Sequence, residues 1–124
     1  MENNKKVVFI SGPITGVENY WEAFEKVEEM LENLGYIALT PSRLPHGMSN
    51  AQYTRICMSM IDSADAVVFL NDWEDSEGAR LEWDYCGYIN KLRVELRGDT
   101  TDEIISPKIV IQSWLQHDLE EVLK

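Results

Sequence analysis

The chain has 124 residues, 44% hydrophobic and 27% charged, a balance that points to a single globular domain burying about two thirds of its unfolded surface. Eleven basic against 22 acidic residues leave a net charge of −11, a field that repels a phosphate backbone and sets nucleic-acid polymers aside as partners. The longest apolar runs, such as AVVFL, are far too short to cross a bilayer, and MENNKKVVF lacks the apolar stretch of a secretory leader. No membrane partner and a cytoplasmic location are therefore expected.

Residues 5–10, KKVVFI, read as a β-branched strand of the kind buried in a parallel sheet. After the loop SGPITGVEN, Asn19 stands where an N-cap belongs, with Glu22 three residues on as a capping-box acid. Trp21, Phe24, Val27, Leu31 and Leu34 then recur at helical spacing until Gly35 supplies a stop. YIAL gives a second strand, TPSRLPHGMSN a loop, and residues 49–63 a second helix through Tyr53, Ile56, Cys57, Met60 and Ile61.

DAVVFL is a third strand, and the acidic segment NDWEDSEG leads into a helix with Leu81, Tyr85, Tyr88 and Ile89 at helical spacing. LRVEL is a fourth strand, RGDTTDEIIS a polar excursion, PKIVI a candidate fifth strand and SWLQHDLEEVLK a terminal helix. The whole of residues 1–124 therefore reads as one three-layer α/β domain, flavodoxin-like or Rossmann-like: a parallel sheet of four or five strands with helices on both faces. Ligands of such sheets bind beyond the carboxyl ends of the strands. That rule selects residues 11–19, 40–50 and 71–78.

In the first of these loops, SGPITG, Gly12 and Gly16 permit close approach by a ligand and Thr15 offers a hydroxyl, so the segment could hold a phosphate or a sugar hydroxyl, or could simply turn the chain. It is neither a GxGxxG fingerprint nor a P-loop. The third loop and the helix after it bring Asp72, Glu74, Asp75, Glu77 and Glu82 together in sequence, with Trp73 among them. Most such acids are solvated. Glu82 lies about one turn inside the helix, where a side chain leans back toward the loop, and a carboxylate beside a pocket can serve a glycosidic carbon as nucleophile or as acid and base. Trp73 could stack on a nucleobase or cover the sheet, and Arg43 in the second loop could face an anion. Cys57 and Cys86 have neither CxxC spacing nor a histidine partner, so neither a metal nor another cofactor is expected. Cys57, at an apolar helical position, reads as packing.

Three segments, FISGPITG, LTPSRLP and DAVVFLNDWEDSEGARLE, make residues 6–96 resemble the nucleoside 2-deoxyribosyltransferase-like superfamily, in particular small phage and bacterial domains similar to the 2'-deoxynucleoside 5'-phosphate N-hydrolases. The resemblance implies an oligomeric α/β protein whose glutamate attacks C1' of a deoxyribose, and Glu82 occupies that position. It implies a nucleoside or nucleotide as partner and a homo-oligomer. Ser76 stands where the hydrolases carry a phosphate-contacting serine and the transferases an aspartate. Ser11, Gly12, Ile14, Thr15 and Gly16 fall on the hydrolases' phosphate loop, with Gly78 in the turn before the glutamate.

The chain departs from that pattern at four positions: Thr15 replaces an arginine, Pro13 a serine, Cys57 a catalytic aspartate and Phe9 a phenol. Asp62, Asp72 or Asp75 could stand in for the missing carboxylate. The expected activity is cleavage or transfer of the N-glycosidic bond of a 2'-deoxynucleoside or its 5'-monophosphate; the alternative is a non-catalytic nucleotide-binding module that retains the pocket.

Overall fold

A computed structural model describes residues 5–14, 18–99, 106–109 and 123. Strand β1 (Val7–Ser11) leads through the first loop to helix α1 (Tyr20–Asn33), then to β2 (Ile37–Leu39), α2 (Asn50–Ser63), β3 (Ala66–Phe69), α3 (Glu77–Tyr88), β4 (Leu92–Asp99) and β5 (Ser106–Ile109). The sheet order is β2-β1-β3-β4-β5, the flavodoxin-like order, with β2, β1, β3 and β4 parallel. No described helix is long and apolar enough to cross a membrane.

Strand periodicity divides the core between the two faces. Val8, Ile10, Val68, Val94 and Leu96 pack with Phe24, Val27 and Leu31 of α1. Phe9, Val67 and Phe69, the alternate positions, pack with Cys57 and Ile61 of α2 and with Ala79 and Cys86 of α3. Helix α1 thus covers one face and α2 and α3 the other, as right-handed crossovers require when the chain moves first to one side of β1 and then to the other. Loops leaving β1 and β3 go to opposite faces, and the crevice between these strands is the topological switch point where ligands of such sheets bind.

Four expectations are corrected. Asn19 does not cap α1 with its side chain: its backbone is left-handed, φ 55°, whereas an N-cap needs extended backbone to reach the first-turn amides. The side-chain capping box lies instead on α2, where Ser49 accepts from the Gln52 amide and Gln52 accepts from that of Ser49. Strand β4 runs on to Asp99, through residues read as loop, because β5 pairs with it from Leu96 onward. That pairing is antiparallel, since a connection spanning only residues 100–105 is too short for a crossover; Pro107 fits this edge strand, where one amide can go unpaired.

The fourth correction concerns α3. Its inward face carries Ala79, Trp83 and Cys86 together with the expected Tyr85 and Ile89, while Leu81 and Tyr88 are exposed. Trp21 is likewise exposed at the start of α1. The terminal helix expected over SWLQHDLEEVLK lies outside the described residues apart from Leu123, which is helical, is buried against the α1-side core and accepts through its carbonyl from the Lys6 ammonium at 2.7 Å.

Candidate active site

Ser11 is the last residue of β1, and the two-residue alternation puts it on the same face as Phe9, toward α2 and α3. On α3, Glu82 follows Ala79 by three positions and precedes Cys86 by four, so it shares the helix face that those two residues bury. These two placements converge. The fully buried Ser11 hydroxyl donates to Glu82 Oε1 at 2.6 Å, and the Cys57 thiol, from α2, is a second donor to the same carboxyl.

The carboxyl is half-buried in this setting, and the electrostatics follow from that. Burial disfavours its charged form and pushes its pKa up to about 7, against the downward pull of the Ser11 and Cys57 donors. Burial, reinforced by the neighbouring Glu82, pushes the Cys57 thiol up to about 12, so it stays protonated and remains a donor. Cys86, one turn further along α3, is pushed up to about 11, again chiefly by burial. A carboxyl that titrates near neutrality at the switch point of the sheet can act as a nucleophile or exchange a proton.

Gly12 is fixed by close approach. A Cβ there would lie 2.9 Å from both Cβ and Cδ1 of Leu70, while the Leu70 amide donates to the Ser11 carbonyl at 2.8 Å. The bare backbone of Gly12 therefore lets the ends of β1 and β3 meet beneath the crevice. Ile14 packs against the α1-side core. Thr15 and Gly16 lie outside the described residues.

Ser76 is the N-cap of α3 and accepts from the Ala79 amide at 3.2 Å, and Gly78 is exposed in the first turn, where an added Cβ would lie 4.0 Å from the Ser76 hydroxyl. Asp72 and Asp75 are exposed at the ends of a short 3-10 turn, neither of them among the groups that shift the Glu82 carboxyl. Asp62 is also exposed and accepts from the Tyr85 hydroxyl at 2.6 Å, which ties α2 to α3.

Trp73 is 8% exposed. Its ring stacks on Trp83 with centroids 4.4 Å apart, tilts against Phe69, and donates from Nε1 to Glu95 at 2.9 Å. Of its two sequence readings, then, the ring covers the sheet and keeps no open face for a nucleobase. Arg93 completes the stack from β4, with its guanidinium 4.4 Å from the Trp83 ring centroid. Arg43 is likewise occupied: it grips Glu28 of α1 with Nε and Nη2 at 3.1 and 2.9 Å, and so docks the second loop on α1 rather than on the Glu82 group.

The structure thus joins Ser11, Glu82 and Cys57. Sequence reasoning assigned Cys57 to packing, yet its alignment with a family aspartate was the signal that it faces the glutamate. Among the described residues no group of three or more His, Cys, Asp or Glu could hold a metal ion. No curated protein matches the chain. A family described as a domain of unknown function, DUF4406, matches residues 6–95, a span that contains Ser11, Cys57 and Glu82, and the chain belongs to that family.

Proposed function

We propose that this protein cleaves or transfers the N-glycosidic bond of a 2'-deoxynucleoside or its 5'-monophosphate, with Glu82 as the nucleophile. The observation that carries this reading is the seat of Glu82: a half-buried carboxyl at the switch point of the sheet, held by the Ser11 hydroxyl at 2.6 Å and titrating at about 7. The resemblance of FISGPITG and DAVVFLNDWEDSEGARLE to the nucleoside 2-deoxyribosyltransferase-like superfamily supplies the substrate class.

In this mechanism ionised Glu82 attacks C1' of the deoxyribose as the base departs. The transition state has oxocarbenium character, so the carboxylate both stabilises positive charge and captures the sugar as an ester. Ser11 fixes one oxygen and so aims the carboxylate. Water or a second base then takes the sugar from the ester with overall retention. The Ser76 hydroxyl takes the Ala79 amide, and the exposed first-turn residues Glu77 and Gly78 offer their amides to a 5'-phosphate. The same reading expects a cytoplasmic homo-oligomer.

A second reading, a nucleotide-binding module without turnover, is favoured by one observation: the group beside Glu82 is the weakly acidic thiol of Cys57 rather than a carboxyl. Base release from a panel of 2'-deoxynucleosides and their 5'-monophosphates separates the two. Catalysis predicts release that falls by on the order of 10³-fold or more in both Glu82→Ala and Glu82→Gln. Saturable nucleotide binding by calorimetry with no release would leave the binding module.

A further inference from the structure

An N-glycosidic bond breaks with its electron pair passing to the base nitrogen. A neutral purine or pyrimidine then becomes an anion unless an acid titrating near the working pH, within about 2.6–3.2 Å of the base, delivers a proton. Among the described residues, the groups around the Glu82 carboxyl are poor acids. Ser11 from β1 brings a hydroxyl and Cys57 from α2 a thiol, the latter held at about 12; Cys86 on α3 itself is held at about 11. Phe9, beside Ser11 on β1, brings a ring with no hydroxyl. The described carboxyls of adjoining segments are engaged elsewhere or exposed: Asp62 accepts from Tyr85, Glu95 of β4 accepts from Trp73 Nε1, and Asp72 and Asp75 are exposed.

Charge points the same way. The chain carries a net −11, and Asp72, Glu74, Asp75 and Glu77 lead into the helix that carries Glu82, so the surroundings attract a cation.

Resting on the reading of Glu82 as nucleophile, we infer that the site is suited to N-glycosides whose base already carries a positive charge, a pyridinium or an N-alkylated purine. The step then balances without an acid. A Glu82 oxygen forms the bond to C1', the C1'–N bond breaks, and its electron pair neutralises the cationic base, which leaves as a neutral heterocycle. Water hydrolyses the glycosyl ester, releasing deoxyribose and returning Glu82, with the proton passing to solvent.

The test compares the 2'-deoxyriboside of nicotinamide, a pyridinium that leaves as a neutral base without taking up a proton, with 2'-deoxyadenosine, each corrected for uncatalysed loss. The wild type is expected to favour the pyridinium by about 100-fold or more, the range an acid would otherwise supply, with release from it abolished in Glu82→Gln. Cys57→Asp, which offers a carboxyl beside Glu82, is expected to narrow the preference to about tenfold by raising the rate on 2'-deoxyadenosine.

Should that variant fail to fold, the wild-type pH profile on the pyridinium decides: one ascending limb near pH 7 supports the inference, and a second, descending limb overturns it. Equal wild-type rates on the two substrates would overturn the cationic preference and leave Glu82-dependent cleavage standing. Release from neither, nor from their 5'-monophosphates, would overturn both.

Discussion

Ser11, at the carboxyl end of β1, donates its hydroxyl to Glu82 Oε1 at 2.6 Å and so joins two positions 71 residues apart in the chain. This bond opposes the effect of burial on the carboxyl. Ser11→Ala removes the donor and keeps the burial, so the Glu82 pKa is expected to rise above its value of about 7. The ascending limb of the pH profile for base release would then move to higher pH, with activity at pH 7 falling about three- to tenfold. An NMR titration of the Glu82 side chain reads the same shift without turnover. An unmoved titration would show that the hydroxyl does not tune this carboxyl.

Beside that bond, Gly12 allows the ends of β1 and β3 to meet. In Gly12→Ala the new methyl would press on Leu70 at 2.9 Å, and one of the three atoms it meets is Cβ, which cannot rotate away. Overpacking of this kind costs about 1–3 kcal/mol, to be read as a lower urea midpoint. Adding Leu70→Ala removes Cγ and Cδ1 but keeps Cβ, so the double variant should recover only part of the loss beyond what Leu70→Ala costs alone. Simple additivity of the two substitutions would mean that the strands do not constrain this position.

Trp73 separates core packing from ligand stacking. Trp73→Phe keeps an aromatic ring but loses the Nε1–H bond to Glu95 and part of the stack on Trp83. A stability loss of about 1–2 kcal/mol is expected, with KM for any active nucleoside unchanged within about twofold. A large rise in KM with stability intact would return the ring to the substrate.

The layers of this fold could be read from residues because buried strands and amphipathic helices write strong periodicities: VVFI, AVVF and the Phe24, Val27, Leu31 stripe each specify one element and one face. The inward face of α3 was harder to read. Leu81 and Tyr88 look more apolar than Ala79 and Cys86, yet the smaller pair is buried. A spacing of Ala79, Glu82, Trp83 and Cys86 would have shown Glu82 on the inner face, had the cysteine been taken as core.

Pairing direction at the sheet edge depends on connection length more than on strand composition, which is why β5 was placed in a parallel sheet. The contacts of Arg43 and Trp73 depend on partners at Glu28, Trp83 and Glu95, which lie 15, 10 and 22 positions away. Local pattern carries no such information. Glu82 itself was legible from its motif and its place after the third strand, whereas the buried Ser11 hydroxyl and Cys57 thiol beside it emerge only when three elements come together.

Burial of Glu82 also couples folding to pH. The carboxyl titrates at about 7 in the folded protein against an ordinary value of 4.5, so between these pH values the folded state binds more protons than the unfolded one. Stability therefore falls as pH rises through this window: the cost is absent below pH 4.5 and complete above 7. Glutamine keeps an oxygen for Ser11 and carries no charge, so Glu82→Gln is free of this cost at every pH. The variant should be more stable than wild type at pH 8 by about 2 kcal/mol, a figure reduced for the carboxyl's partial exposure, and the difference should shrink toward zero by pH 4. Urea denaturation at pH 4, 6 and 8 measures it. A difference independent of pH would show that Glu82 binds its proton no more tightly in the folded chain than in the unfolded one, and the neutral-range carboxyl on which the proposed nucleophile rests would be lost with it.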